Sequence, residues 1–428
     1  MTPSPHLSDD LLHHIFVSFT THDTTITSSP HRDVSLTRGG IDEPMAQPPL
    51  STSTPTSSDE ASRRGSVFWG PPVQLEDHEG SDVAVSDDLA ATSQPPPIAD
   101  GIEGAIGNTP LINIKSLSEA TGRVILAKAE FLNGAGQSPK DRVALSMIRT
   151  AEEAGLLVPG RGDTIYEGTV GSTGIALTTL ARARGYRCHI CMPDDMAVEK
   201  SDLLHRLGAT VERVAVAPIT SPAHFVNRAR RLAAAHADTA ADGSTGFFAD
   251  QFENPANWRA HFEATGPEIW AQTDGRLDAF VAGAGTGGTI TGVARYLKDE
   301  ARADALRVVL ADPQGSGLYN KIRHGVDTMV EGIGITRITA NFEAGRDLVD
   351  DAVRVTDDQA CRMARWLVEK DGIFVGSSSA VNCAAAVVEA MRLPEGSRHI
   401  AEMGLEDNDD KKDLFSTLGL TVQTIAST

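Results

Sequence analysis

Lys140 lies in the stretch "SPKDRVALSMIRTAEEAG" (residues 138–155), which reads as an amphipathic helix. Ser138, Pro139, Lys140 and Asp141 fit an S-x-x-D capping box with Pro at the first helical position. Val143, Met147 and Ala151 recur on one face, and Gly155 is a stop signal. A cation in the first turn opposes the helix dipole. That favours loss of its proton and frees an amine to act as nucleophile or base. A solvated surface lysine would tolerate the same place at small cost, so this stretch alone leaves both readings open.

Two glycine loops carry further chemistry. In "YEGTVGSTGIAL" (166–177) a strand gives way to a helix across Gly168, Gly171 and Gly174, interleaved with Thr169, Ser172 and Thr173. Backbone N–H groups and hydroxyls at a helix N-terminus suit an anion. No lysine follows the last glycine, so the loop is not a Walker A sequence. In "DAFVAGAGTGGTITGVARYL" (278–297), Gly283, Gly285 and Gly288 match G-x-G-x-x-G between strand and helix, and Asp312 ends the next strand. That spacing admits a nicotinamide dehydrogenase, with Asp312 on a ribose. However, Thr286, Thr289 and Thr291 surround the glycines, which suits a terminal phosphomonoester dianion better than a pyrophosphate bridge. A phosphate for residues 285–289, an aldehyde for Lys140 and a carboxylate for residues 169–173 together describe pyridoxal phosphate acting on an amino acid.

These loops need strands and helices to hold them. "VILAKAE", "DTIYEGT", "RCHICMP", "VERVAVA", "DAFVAGA" and "RVVLADP" read as strands, and helical periodicity fills 139–154, 174–185, 198–207, 222–236, 287–300 and 357–371. This alternation predicts an α/β protein with parallel sheets covered by helices, whose ligands sit beyond the carboxyl ends of the strands. The length of 428 residues allows two or three domains, and 39 glycines with only 5% aromatic residues fit tight strand–helix turns. A net charge of −20 argues against sequence-independent nucleic-acid binding, and no apolar run is long enough to span a membrane. The four cysteines are too few for a disulfide scaffold. Cys188 and Cys191 form a C-x-x-C inside a strand, where positions three apart face opposite sides, so they are expected to be core thiols and no metal site is expected. Residues 1–97 are Ser/Thr/Pro-rich around the short apolar patch "LLHHIFVSF" and are expected to be a disordered, dispensable extension. Asp9 and Asp10 precede the patch, and no convincing targeting segment stands there.

The motifs "GNTPL" (107–111), "SPKDR" (138–142), "EGTVGSTGIAL" (167–177), "QFENPANW" (251–258), "GAGTGGTITG" (283–292), "EGIGITRITANF" (331–342) and "GSSSA" (376–380) stand in the order found in cysteine synthases. The chain thus resembles the tryptophan-synthase-β-like, fold type II pyridoxal-phosphate enzymes from about 102 to 402, and among them the fungal mitochondrial-type cysteine synthases, which share "GSTG" and "ADPQGSG". The resemblance implies two three-layer α/β domains with the site between them. The larger would comprise 102–133 plus 257–402 and the smaller 134–256, with 403–428 as an atypical tail.

Carried over, Lys140 would hold pyridoxal 5′-phosphate as a Schiff base and move the α-proton. Gly285, Thr286, Gly287, Gly288 and Thr289 would bind the cofactor phosphate. Ser378 would hydrogen-bond the pyridine nitrogen, and Ser172 would stand beside the cofactor where relatives usually have Asn. Thr169, Gly171, Ser172 and Thr173, with Gln251, would grip the substrate carboxylate, and Gly332 would lie on a closing loop. The implied reaction is β-replacement, making L-cysteine from O-acetyl-L-serine and sulfide through an α-aminoacrylate. The implied form is a homodimer in mitochondria or cytoplasm.

Three departures from the family pattern stand out. Gln137 lengthens the Asn133–Lys140 segment by one residue, Val170 replaces a common Ser, and "AEMGLEDNDDKKDLFSTLGL" replaces the usual terminal strand and its signature. The alternatives are a cystathionine β-synthase-type reaction on serine and, from another class, a cofactor-binding pseudoenzyme acting as an interaction partner.

Overall fold

Ten strands order the described residues. In the computed structural model, which describes residues 14–18, 97–324 and 337–393, they are β1 (His14–Ser18), β2 (Leu111–Asn113), β3 (Val124–Lys128), β4 (Thr164–Gly168), β5 (Arg187–Pro193), β6 (Thr210–Val214), β7 (Gly246–Phe248), β8 (Ala279–Gly283), β9 (Arg307–Pro313) and β10 (Asp351–Val355). They make a six-stranded sheet, β10-β9-β8-β1-β3-β2, and a four-stranded sheet, β6-β5-β4-β7. Every pairing is parallel except β2 with β3. The expected α/β architecture is therefore present, with all six strands read from the sequence in place as β3, β4, β5, β6, β8 and β9. The two sheets pack within one compact unit.

Parallel strands are buried on both faces, so they read as continuous apolar runs. In β8, Ala279 and Val281 join a core with Val309, Ala311, Val353 and the helices Asp357–Asp371 and Ser377–Arg392. Phe280 and Ala282 point the other way, into a core with Val308, Leu310 and the helix Gly288–Arg295. In the smaller sheet, Ile165, Cys188, Ile190 and Met192 pack against the helices Lys140–Glu153 and Ser172–Ala183. The helix Phe225–Thr239 lies against β4, β5 and β7.

One expectation needs correction. The extension 1–97 contains a strand: β1 pairs with β3 from His14↔Val124 to Ser18↔Lys128, and with β8 from Ile15↔Ala279 to Val17↔Val281. The physical reason is position. A parallel sheet with a gap between β3 and β8 would leave two rows of unpaired backbone groups in its middle, and the short apolar patch has the length to fill it. Residues 19–96 and the atypical tail 403–428 lie outside the described residues.

Candidate active site

The loop before Lys140 is built on Asn133. Its Oδ1 accepts the Gly107 N–H at 2.9 Å, and its Nδ2 donates to Glu130 Oε2 and to the Ser138 carbonyl at 3.0 and 3.2 Å. Gln137, within this segment, takes a left-handed conformation at φ 54°. The capping box expected here is rearranged. Pro139 occupies the cap position, Ser138 Oγ accepts the Lys140 N–H at 3.2 Å, and Asp141 turns back to accept the Ala135 and Gly136 N–H groups at 3.1 and 2.8 Å. Burial raises the Asp141 carboxyl to about 6, against those amides.

Next in the chain, buried Arg142 clamps both Glu130 (2.8 and 2.8 Å) and Glu268 (2.6 and 2.8 Å). Lys128 completes the cluster. Its Nζ lies 2.6 Å from the Thr109 carbonyl, 2.9 Å from Gln272 Oε1 and 2.6 Å from Glu268 Oε2, with the side chain fully buried. Burial lowers the Lys128 ammonium, and Glu268 opposes that shift. Lys128 is thus locked in a structural ion cluster, whereas Lys140 lines a cavity.

That cavity, of about 210 Å³, is walled by Lys140, the loop 168–173, Gln251, Gly285 and Thr286, with Phe225 and Phe252 as its aromatic sides. The 169–173 loop is braced from behind. Thr173 Oγ1 donates to Gln251 Oε1 at 2.7 Å, and Gln251 Nε2 reaches the Gly168 carbonyl at 3.3 Å. Gln251 N–H donates to Glu167 Oε2 at 3.2 Å, and burial raises the Glu167 carboxyl to about 8. Gly168 has to be glycine, because a Cβ there would stand 2.5 Å from Val226 Cα. Ser172 begins its helix with Gly171 as cap; the Thr169 and Gly171 N–H groups donate to the Cys191 carbonyl and to Thr169 Oγ1 at 3.1 and 3.3 Å, which leaves the helix start at Ser172 and Thr173 to offer amides on the cavity wall.

The second loop is shaped by neighbours on "QFENPANW" and "TANF". Gly287 has φ 81°, and a Cβ on it would meet Phe342 Cβ at 2.4 Å, while one on Gly288 would meet Asn257 Oδ1 at 1.9 Å. Gly285 has open space instead, facing the cavity. Thr286 is held twice: its carbonyl accepts from Thr339 Oγ1 at 2.7 Å, and its Oγ1 accepts from Asn257 Nδ2 at 3.0 Å. With its acceptor side taken, the Thr286 hydroxyl keeps a proton to donate. Thr289 Oγ1 lies 3.2 Å from His261 Nε2, whose other ring nitrogen meets Thr265 Oγ1 at 2.9 Å. Burial, and then the Arg142 and Lys140 cations, push this imidazole well below its ordinary range, so it is neutral. Donors and open space at the start of an eight-residue helix make a cradle that fits a phosphate dianion.

Asp312 does not serve the dinucleotide reading. It is fully buried, and its Oδ2 accepts the Tyr319 N–H at 2.7 Å at the start of the helix Leu318–His324. Ser378 is exposed in the first turn of the helix Ser377–Arg392 and is not on the cavity wall. Four residues on, Asn382 Oδ1 accepts the Gly283 N–H at 2.8 Å, which ties that helix to the strand end feeding the glycine loop. Gly332 lies outside the described residues. The supporting residues Asn257, His261, Thr339 and Phe342 received no role from the sequence, although Asn257, Thr339 and Phe342 lie within the quoted motifs.

The model of the pyridoxal-phosphate dependent enzyme family matches residues 102–401. The chain is similar to cysteine synthase 2 of Neurospora crassa, 65% identical over 395 residues that cover 83% of this chain and 84% of that protein. It is also similar to a putative mitochondrial cysteine synthase of Saccharomyces cerevisiae, 51% identical over 325 residues covering 72% and 82%. The cystathionine beta-synthase of Rattus norvegicus is further away, 41% identical over 310 residues, covering 71% of this chain and 53% of that protein.

Proposed function

This chain belongs to the pyridoxal-phosphate dependent enzymes, and from that premise we propose that it is a cysteine synthase joining O-acetyl-L-serine to sulfide. The observation that carries the reading is one cavity in which Lys140 shares walls with two loops opening helices, 169–173 and 285–286. Pyridoxal phosphate, when bound, supplies an aldehyde for amines and a ring that accepts the electron pair released at the amino acid's Cα.

The residues divide the remaining work. Gly285 to Thr289 hold the phosphate through backbone N–H groups and the Thr286 hydroxyl. Neutral His261 sets the Thr289 hydroxyl without adding a cation. Lys140, on the cavity wall, would supply the amine that meets the cofactor's aldehyde, and its free amine would hold and return a proton at the amino acid's Cα. Thr169, Gly171, Ser172 and Thr173 bind the substrate carboxylate at a helix N-terminus, held in place by Gln251. Ser378 stands off the cavity wall, on the helix that Asn382 ties to the strand end feeding the glycine loop, and from there it would serve the pyridine nitrogen; a neutral hydroxyl would leave the ring a moderate electron sink, which favours elimination over transamination.

The domain boundary falls at 134–256 for the smaller domain. All four strands of the smaller sheet lie inside it, and β2, β3, β8, β9 and β10 lie outside. The enzyme would act as a homodimer in mitochondria or cytoplasm, and of the two compartments the name of the yeast relative favours mitochondria. No helix among the described residues is long and apolar enough to cross a membrane.

Turnover assays separate the choices. Cysteine is expected from O-acetylserine with sulfide, at least tenfold faster than cystathionine from serine with homocysteine. The opposite ranking would place the chain with the cystathionine-forming enzymes. A cofactor-loaded protein inactive on both pairs would point to the pseudoenzyme.

A further inference from the structure

The C-x-x-C of β5 splits across the smaller sheet. Cys188 faces the helix Ser172–Ala183, where its Sγ accepts from Thr178 Oγ1 at 3.5 Å. Cys191 faces the opposite side. There, His189 precedes it by two residues on the same face, and the β5–β6 register sets Glu212 opposite it. One ligand atom from each of His189, Cys191 and Glu212 lies within 4.8 Å of the others. His189 Nε2 is buried without a hydrogen bond, with Glu212 Oε2 at 3.6 Å.

We propose that His189, Cys191 and Glu212 form a binding site for a borderline-soft divalent cation of the Zn²⁺ class. Imidazole, thiolate and carboxylate are the ligand types zinc takes, and three protein ligands leave a fourth position for water. Ligand atoms around tetrahedral zinc stand roughly 3.5 Å apart, so side-chain rotation of about an ångström closes the set. Entry is open, because the His189 and Glu212 side chains keep 18% and 30% of their exposure.

The neighbouring charge has a defined place. Arg228 Nε holds Glu212 Oε1 at 2.8 Å, which leaves Oε2 to turn toward the ion. The guanidinium then orients the ligating carboxylate, although its own charge weakens the site. Burial pushes the Cys191 thiol up to about 12, so it carries its proton until the cation arrives. Binding forms one zinc–sulfur bond and releases that proton to solvent. Because β6 is the edge strand, an ion here would clip it to β5. Without an ion, the same residues only pin Arg228 of the helix Phe225–Thr239 to the sheet.

The test uses the full-length holoenzyme, stripped of metal and dialysed against Zn²⁺ alone, then against Co²⁺. One zinc per chain is expected, together with a thiolate-to-cobalt charge-transfer band. Cys191→Ser should abolish the band and weaken zinc binding at least tenfold, and Cys188→Ser should change neither. Glu212→Gln, at a half-exposed position that spares the fold, should weaken zinc several-fold if a Cys191 variant proves unstable. Zinc stoichiometry unchanged in both Cys191→Ser and Glu212→Gln, or wild-type protein that keeps no zinc and shows no band, would overturn the site.

Discussion

Lys128 and Lys140 flank the same ion cluster yet have opposite chemical prospects. Lys128 Nζ is surrounded by the Thr109 carbonyl, Gln272 and Glu268 and has no face toward the cavity, whereas Lys140 is on its wall. Proximity then decides which amine could reach the aldehyde of a cofactor whose phosphate the 285–289 loop would hold. Lys140→Ala is expected to lower turnover by about 10³-fold or more. Lys140→Arg should fail equally, because a guanidinium neither condenses with an aldehyde nor gives up its proton. Steady-state rates on cofactor-loaded variants check both. Borohydride reduction and peptide mapping should find the cofactor on Lys140, and an adduct on Lys128 would reverse the assignment. The lysine was legible in the sequence because the helix start and the apolar face are local patterns. The rearranged cap was not, because whether Asp141 reaches Ser138 or turns back to Ala135 and Gly136 depends on the path of the preceding loop.

At the scale of elements, the sequence disclosed what a continuous apolar run or a long period can disclose. The six strands and six long helices found by pattern all exist within a few residues. The strands β2 and β7 have three residues each, too short for any alternation to register. From Ser379 to Ala390 every residue of the helix Ser377–Arg392 but Val381 is buried, so that stretch has no polar stripe to give it a period. The residues behind the glycine loop also stayed silent, since Asn257 and Phe342 reach Gly287 and Gly288 from distant parts of the chain. Close approach of elements makes a sharper forecast at the first loop. Gly168→Ala would push a methyl group to 2.5 Å from Val226 Cα, so the helix Phe225–Thr239 must shift off β4. A cost of about 1–3 kcal/mol is expected, with weaker substrate binding as the 169–173 loop moves. Gly171→Ala meets nothing within 4 Å and should change stability by no more than about 0.5 kcal/mol. Denaturant melts of the two variants, side by side, give the comparison; equal midpoints would show that the backbone contact at Gly168 is not limiting.

At the scale of the molecule, β1 joins the two halves of the site. On one side it pairs with β3, which ends at Lys128 in the ion cluster that anchors Arg142 and hence the start of the Lys140 helix. On its other side it pairs with β8, which ends at Gly283 and feeds the glycine loop 285–289. The strand that links the Lys140 side to the 285–289 loop is therefore taken from a segment whose composition spoke for dispensability. Composition averages over 97 residues and misses five of them, because pairing in a sheet is a long-range event. Deleting residues 1–18 is expected to leave the β3 and β8 edges open, with aggregation or loss of bound cofactor as the result. An internal deletion within 40–90 that keeps His14–Ser18 should retain both solubility and cofactor. Gel filtration and the cofactor's visible absorbance on the two truncations are the measurements. A soluble protein lacking 1–18 with full cofactor content would mean that the sheet holds its two site-bearing strands in register without β1.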